Sequence, residues 1–178
     1  VRKMRGEPGT KITLTVFRKS EDRTFPVTIT RAEIKVQSVK AKFVAPGLAW
    51  VRITSFQERT VPDLGKKLAE LAEKEPNMKG LILDLRNNGG GLLQGAVGVS
   101  AAFLPPNSLV VSTKGQSEEA RQSFAASAEN YKLGEPGDPL VQVPEVIKKV
   151  PMVVLVNAFS ASASEIVSGA LQIGRAHV

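Results

Sequence analysis

The sequence predicts an α/β fold with a mixed or mainly parallel sheet, and three observations lead to this prediction. Two short apolar runs, 80–85 (GLILDL) and 150–156 (VPMVVLV), are typical of strands that are buried on both faces. A third strand candidate, 49–54 (AWVRIT), precedes them. Segments of helical length and composition separate and follow these runs. Buried strands that alternate with helices indicate a layered α/β core.

The beginning of the chain predicts a separate unit. Residues 10–17 and 24–30 alternate apolar and polar side chains, which is the period of half-buried strands, and a polar loop joins them. The end of a helix, at 1–5, precedes them. These elements are too few to bury a core alone. We therefore expect residues 1–34 to be part of one domain and residues 35–172 to be part of a second, larger core.

Two helices are predicted within the larger core. The first begins near Thr60, which stands with Asp63 in the spacing of a capping box, and it has leucines on one face. The second covers residues 92–104 and ends at Pro105-Pro106, since proline cannot continue a helix.

The remaining elements follow in order. Residues 109–112 predict a short strand, and the polar stretch 114–140, rich in Gly, Ser, Glu and Pro, predicts an exposed excursion or lid. The run 150–156 is the second buried strand, and residues 162–171 predict the last helix.

The composition excludes several classes of site. The chain has no cysteine, so disulfides, thiolate nucleophiles and cysteine-based metal sites are excluded, and we expect neither a metal nor a cofactor. The net charge is +7, from 24 basic and 17 acidic residues. These charges are scattered and aromatic residues make up only 5% of the chain, so a solvated surface is favoured over nucleic-acid binding.

The end of the chain predicts a non-native tail. Residues 173–178 (IGRAHV) break the apolar period of the helix before them, and they resemble an in-frame translation of a common sequencing adapter. We therefore expect the native sequence to stop near Gln172, and the single histidine, His177, to be non-native.

Two strand-to-helix junctions carry the residues suited to chemistry. Residues 84–91 (DLRNNGGG) follow the first buried strand, and residues 157–165 (NAFSASASE) follow the second. Active sites of open α/β sheets collect at the carboxyl ends of strands. The glycines suit a tight turn, a phosphate or an oxyanion, because backbone amides at a helix N-terminus stabilise negative charge. Phosphate is the weakest of these, since no known phosphate-loop pattern is present.

The serine-rich junction supports a nucleophile or a simple helix cap. Ser162 and Glu165 have the spacing of a capping box, while a serine hydroxyl beside free amides suits nucleophilic attack. The residues alone do not choose among Ser160, Ser162 and Ser164.

A serine nucleophile also needs a base. With His177 set aside, lysine is the alternative. Lys79, Lys148 and Lys149 precede strands, at the wrong edge of the sheet, and Lys114 lies in a polar loop that does not desolvate it. The chain therefore contains no good base.

The segments 81–91 and 153–166 resemble the two signature blocks of the carboxyl-terminal processing (tail-specific) serine peptidases. The strand 51–56 (VRITSF) and the run 95–105 (GAVGVSAAFLP) match as well, and the hairpin after Gly6-Glu-Pro-Gly9 resembles the closing part of the bacterial family's PDZ domain. The resemblance is colinear from Val1 to Gln172. It implies a peptidase core with layers like those of crotonases and Clp proteases, and a chain that is a fragment of a longer protein.

The resemblance also implies a set of site residues. Ser162 is the nucleophile, and the oxyanion hole is made by the amide of Ala163 with one from the Gly90/Gly91 pair. Gly89 is less suitable, because relatives often carry proline there and proline has no N–H to donate. The base of the implied Ser–Lys dyad lies in a later block that the chain does not reach, so we expect the fragment to be inactive.

The implied partners are unfolded polypeptides, or polypeptides with exposed tails, which a PDZ domain captures by strand addition. The family implies a periplasmic or cell-envelope location and the possibility of a membrane anchor, and says nothing of oligomeric state. Two other functions stay open: a non-catalytic protein that binds peptide tails, and a crotonase-like acyl-CoA enzyme.

Overall fold

The structure is a computed structural model, and it divides the chain into two compact units, Val1–Val36 and Gln37–Val178. The residues that it describes are 4–32, 37–115, 121–134 and 136–175.

The first unit is a β-hairpin. Strand β1 (Lys11–Arg18) pairs antiparallel with strand β2 (Arg23–Thr30), in a register from Lys11↔Thr30 to Arg18↔Arg23. Both predicted strands are therefore present. None of residues 4–32 is buried, as expected for a hairpin with no core of its own. Most of the predicted helix end lies outside the described residues.

The second unit contains the helices and the remaining strands. Its elements are β3 (Val39–Ala45), β4 (Leu48–Ile53), α1 (Thr60–Lys74), β5 (Gly80–Asp84), α2 (Leu93–Ala101), β6 (Leu109–Ser112), β7 (Ser123–Ala125), α3 (Ala128–Tyr131), α4 (Glu145–Lys149), β8 (Met152–Leu155) and α5 (Ala163–Gly174). No helix among the described residues is both long and apolar enough to cross a membrane.

The main sheet has the strand order β3-β4-β5-β8. Strand β3 is antiparallel to β4, whereas β4, β5 and β8 are parallel to one another. The α/β fold with a mixed sheet is therefore confirmed. Strand β3 was not among the predicted strands.

The two faces of the sheet are buried to different extents. Leu83 and Val154 lie in the core with at most 2% of their surface exposed. On the opposite face, Ile82 is half-buried and Val153 is 42% exposed. Strand β5 still buries Gly80 and Asp84 on that face, so the prediction of burial on both faces was wrong for β8 alone. An apolar run shows what a strand can bury and does not show what covers it.

Helix α1 covers the buried face with a row of leucines, of which Leu64 and Leu68 are fully buried. The predicted capping box at its start does not form. Thr60 is the first helical residue, and its hydroxyl accepts the N–H of Gln57 at 2.8 Å instead of bonding into the first turn. A second hydroxyl, on Ser38, lies 2.8 Å away in the buried interior.

The stretch predicted as an exposed excursion is partly built into the core. Strand β7 pairs antiparallel with β6, and Tyr131 and Leu140 are buried. The Tyr131 hydroxyl donates to Asp138 Oδ1 at 2.9 Å, and the same oxygen accepts the N–H of Leu140 at 2.9 Å. Residues 116–120 and 135 lie outside the described part. The polar composition concealed these few apolar anchors.

Helix α5 continues to Gly174, beyond Gln172. Arg175 follows, and its guanidinium donates to the backbone carbonyls of Phe103, Ile147 and Val150 at 2.6–3.0 Å. The non-native origin of residues 173–178 stays a prediction, and His177 lies outside the described residues.

The buried tyrosine offers a spectroscopic test of this packing. Burial, together with the neighbouring Asp138, raises the pKa of Tyr131 far above its ordinary value of about 10. Above pH 10 the unfolded chain therefore loses a proton that the folded chain keeps, so the free energy of unfolding falls as pH rises. Tyr131 is the single tyrosine, so absorbance at 295 nm reports it alone.

We expect tyrosinate absorbance to rise only together with the loss of the far-ultraviolet circular dichroism signal. In a Tyr131→Phe variant the decline of stability above pH 10 should be shallower. A tyrosinate titration centred near pH 10 in the fully folded chain contradicts the burial of this side chain.

Candidate active site

The two junctions predicted from the sequence lie side by side. Strands β5 and β8 are parallel, with Asp84 opposite Leu155 at their carboxyl ends. The glycine-rich turn that follows β5 therefore meets the serine-rich loop that leads into α5. This is the edge at which open α/β sheets bind their ligands.

Ser162 caps the N-terminus of α5 and is exposed to solvent. Its backbone has φ 55° and ψ −115°, a conformation that side-chain-bearing residues rarely adopt. The Glu165 carboxylate accepts its N–H at 2.6 Å, and the two residues form the predicted capping box. In this box the Ser162 side chain accepts the backbone N–H of Glu165, so the Ser162 hydroxyl proton is still free to be donated.

The other two serines of the loop are engaged in the fold. Ser160 donates its hydroxyl proton to the carbonyl oxygen of Leu85 at 2.8 Å. Ser164 is fully buried and donates to the carbonyl oxygen of Asn88 at 2.8 Å. In the described part of the chain, Ser162 donates its hydroxyl proton to no acceptor. Of the three serines, Ser162 is thus the one whose hydroxyl is not engaged as a donor in the described part of the chain.

Gly90 packs directly against Ser162. A Cβ at position 90 would lie 2.8 Å from the Ser162 Cβ and 3.1 Å from the Ala163 nitrogen, so a side chain has no room there. The N–H of Gly90 donates to the Asn88 side chain at 2.9 Å, and its carbonyl accepts the N–H of Phe56 at 3.1 Å. The Gly90 amide is thus already satisfied.

Two amides beside this contact donate no hydrogen bond within the described residues. One belongs to Ala163, the first residue of α5, where backbone amides have no partner in the helix and carry partial positive charge. The other belongs to Gly91, which is exposed and follows Gly90. Such amides are suited to bind an anion.

Asn88 ties the turn to its surroundings. It is fully buried, and its side-chain amide donates to the Ile53 carbonyl at the end of β4, at 2.9 Å. Its own carbonyl accepts the N–H of Ala161 at 3.1 Å, in addition to the Ser164 hydroxyl. The Asn88 side chain therefore connects the glycine turn to β4, and the Asn88 carbonyl connects the same turn to the serine loop.

A second pair of asparagines joins the two junctions near the surface. Asn157 accepts the N–H of Asn87 at 2.9 Å and donates its side-chain amide to Asn87 Oδ1 at 2.8 Å. Asn87, Asn88 and Asn157 were given no role from the sequence, although they stand inside the junctions 84–91 and 157–165. No periodicity or spacing signals such long-range pairs.

A buried carboxylate holds the start of the glycine turn. Asp84 has no exposed surface, and it accepts bonds from the Arg86 side chain at 2.8 and 2.9 Å and from the indole N–H of Trp50 at 3.2 Å. The hydrogen bonds from Arg86 hold the pKa of the Asp84 carboxyl below its ordinary value. Asp84 is therefore a fixed anion that orients the turn rather than a proton carrier.

The proton of the Ser162 hydroxyl has no acceptor within the described residues. None of the lysines there forms a hydrogen bond with Ser162, and no group of acidic or histidine side chains there is arranged to hold a metal ion. The arrangement therefore offers an exposed hydroxyl and two unpaired amides, and no acceptor for the hydroxyl proton lies beside them among the described residues.

The sequence pattern of peptidase family S41 matches residues 47–178, which include both junctions. The chain belongs to peptidase family S41. The resemblance to carboxyl-terminal processing peptidases is thereby confirmed, whereas the PDZ assignment of the hairpin stays a prediction.

Individual S41 relatives agree with this membership. The chain is 40% identical over 97% of its length to a carboxy-terminal-processing protease of Bartonella bacilliformis. It is 32% identical over 96% of its length to a carboxyl-terminal-processing protease of Synechocystis. Each match covers 36% of the relative, so the chain spans about a third of the length of these proteins.

Solved structures show the same fold. The photosystem II D1 C-terminal processing protease superposes with a TM-score of 0.56 at 25% identity, over 94% of this chain and 42% of that one. An S41 protease from Bacteroides fragilis superposes with a TM-score of 0.60 at 17% identity, over 94% of this chain and 46% of that one. The second likeness concerns the fold alone.

Two neighbouring glycines provide a matched pair of variants. A Cβ at Gly91 would overlap the carbonyl oxygen of Phe56, and its φ of 145° suits only glycine, whereas a Cβ at Gly89 would meet nothing within 4 Å. Gly91→Ala should lower the free energy of unfolding by at least about 2 kcal/mol, while Gly89→Ala should change it by less than about 0.5 kcal/mol. Urea denaturation measures both. Equal effects at the two positions contradict the observed turn.

The backbone conformation of Ser162 should also be visible in stability. Ser162→Gly relieves a dihedral strain that Ser162→Ala keeps, and glycine is the better of the two at a helix N-cap. We expect the glycine variant to be more stable than the alanine variant by about 1–2 kcal/mol. Urea denaturation of the two variants tests this, and an alanine variant of equal or greater stability contradicts the positive φ.

Proposed function

We propose that the protein is a serine endopeptidase that cleaves polypeptides near their C-termini, with Ser162 as its nucleophile. One observation carries this proposal: the free hydroxyl of Ser162 lies at the N-terminus of α5 and packs against the glycine turn. The neighbouring amides of Gly91 and Ala163 are unpaired within the described residues. Membership of family S41 and similarity to carboxyl-terminal-processing proteases support the reaction and the substrate class.

The proposed reaction is acyl transfer in two steps. The Ser162 oxygen bonds to the scissile carbonyl carbon and gives its proton to a base. The C–N bond then breaks, and the base returns the proton to the leaving amine. Water attacks the resulting acyl-enzyme ester, and Ser162 regains its proton as the new carboxyl end of the substrate leaves.

The amides of Ala163 and Gly91 form the proposed oxyanion hole. Both are unpaired within the described residues, and Ala163 adds the partial positive charge of the helix N-terminus. Gly90 was an equal candidate from the sequence, but its N–H is held by Asn88. Its role is instead to admit the Ser162 side chain at close range. One such donor contributes about 3–4 kcal/mol of transition-state stabilisation.

The base of the proposed Ser–Lys dyad lies outside these residues. The absence of a basic partner for Ser162 among the described residues and the 36% coverage of the relatives support this placement. The chain of residues 1–178 alone should then be inactive, and the full-length protein active.

The partners remain proposals too. The hairpin unit is proposed as part of a PDZ domain (residues 1–34), which captures substrate tails by strand addition. The peptidase core then begins at residue 35. A periplasmic or cell-envelope location stays a prediction, as do the expected lack of a metal and of nucleic-acid binding.

The rival functions make different demands on Ser162. A crotonase-like acyl-CoA enzyme uses the oxyanion amides without the Ser162 hydroxyl. A non-catalytic protein that binds peptide tails needs neither the amides nor the hydroxyl. The free hydroxyl and the strained backbone of Ser162 favour the peptidase over both.

The decisive variant is Ser162→Ala in the full-length protein. It should remain folded and lose peptidase activity towards an unfolded substrate with an apolar C-terminus by about 10⁴-fold or more, because the nucleophile is removed. Release of peptide fragments, followed by mass spectrometry, measures the loss.

Ser168→Ala is the matched control, since Ser168 lies on the same helix and, within the described residues, its hydroxyl bonds only the Glu165 carbonyl. This variant should cleave at close to the unmodified rate. Undiminished cleavage by Ser162→Ala removes Ser162 from the reaction, and tight binding of coenzyme A by either variant points to the acyl-CoA alternative.

A further inference from the structure

An apolar groove of about 580 Å³ lies between α5 and β6, next to the candidate nucleophile. Leu109 and Val111 line it from the strand, and Ile166 lines it from the helix. Glu165 lines it as well, and the Glu165 carboxylate is the group that accepts the N–H of Ser162. The groove and the nucleophile therefore share a residue.

A helical glycine keeps this groove open. Gly169 lies in the interior of α5, where glycine is less favourable than alanine. Its φ is not positive, so the backbone does not require glycine. A Cβ at this position would meet nothing within 4 Å. Packing and backbone conformation therefore do not explain Gly169, whereas the open groove does.

The helical glycines of α2 provide the contrast. A Cβ at Gly98 would lie 2.5 Å from the Val61 side chain, and a Cβ at Gly95 would lie 3.2 Å from the Phe56 side chain. These two glycines permit close packing. At Gly169 no described residue lies close enough to require a glycine. The lack of a side chain there leaves space for a group that is not among the described residues.

The walls of the groove indicate the chemistry of its occupant. Leu109 is 62% exposed at the rim, an apolar surface that is stabilised when another apolar group covers it. The volume falls in the range of about 300–1,000 Å³ that is typical of ligand pockets. The carboxylate of Glu165 disfavours an acidic group, since like charges repel.

We propose that this groove holds an apolar side chain of the substrate next to its scissile bond, and that Gly169 sets the size of side chain accepted. The inference rests on the proposed peptidase function, because the shared Glu165 places the groove beside Ser162. It adds to that function a specificity-determining residue on α5.

The test uses the full-length protein and two peptides that differ only in the residue before the cleaved bond, alanine in one and phenylalanine in the other. Gly169→Leu fills the groove from one wall. It should lower kcat/KM for the phenylalanine peptide by about 10- to 200-fold, the range for steric exclusion from an apolar pocket, and leave the alanine peptide within about threefold. Gln172→Leu is the matched control, since Gln172 is exposed on the same helix and does not line the groove.

Stability provides an independent reading. Gly169→Ala should raise the Tm of both the 178-residue chain and the full-length protein by about 2–3 °C, because the position has room and helical geometry. A lower Tm for Gly169→Leu in the full-length protein alone shows that another part of the protein fills the groove, and overturns the proposal.

The outcomes separate the two proposals. If Ser162→Ala cleaves both peptides as well as the unmodified protein, or the unmodified protein cleaves neither, the peptidase function fails and the groove assignment with it. If Ser162→Ala is inactive but Gly169→Leu affects both peptides equally or neither, the peptidase function stands and the groove assignment fails.

Discussion

The site depends on one buried side chain, the carboxamide of Asn88. It donates to the end of β4 and accepts the amide of Gly90, while the Asn88 carbonyl receives Ala161 and Ser164 from the loop before α5. Buried polar groups are costly unless every one is paired, so a network of this kind permits a single arrangement. That arrangement brings the glycine turn and the serine loop into contact and occupies the Gly90 amide, which leaves Gly91 and Ala163 as the free donors.

The parallel pairing of β5 with β8 is the second requirement, because it places both junctions at one edge of the sheet. This much is predictable from sequence. Short apolar runs followed by glycine- or serine-rich junctions predict parallel strands, and parallel strands predict adjacent carboxyl ends. The local elements of the first unit and α5 are predictable as well, since strand alternation and the Ser162–Glu165 spacing are signals between near neighbours.

Local spacing can also give a wrong prediction. Thr60 and Asp63 have the spacing of a capping box, yet the Thr60 hydroxyl bonds upstream to Gln57.

Contacts between distant residues leave no such signal. The pairing of Asn87 with Asn157, the engagement of Ser160 and Ser164, and the satisfaction of the Gly90 amide all follow from the tertiary fold. For this reason the residues alone left three serines and two glycines as candidates. The hydrogen bonds of Ser160, Ser164 and Gly90 favour Ser162 and Gly91. The sequence also does not show whether another element covers a strand face. Strand β8 has the apolar content of a fully buried strand, yet Val153 is 42% exposed.

Ser162 and the two amides of Gly91 and Ala163 are proposed to act on one carbonyl group. The most direct measurement is a crystal structure of the full-length protein with a peptidyl boronic acid, which forms a tetrahedral adduct with a serine nucleophile. We expect a bond from boron to the Ser162 oxygen, with one boronate oxygen about 2.7–3.1 Å from both the Gly91 and the Ala163 nitrogens. An adduct on another residue, or a boronate oxygen directed into solvent away from these amides, contradicts this proposal.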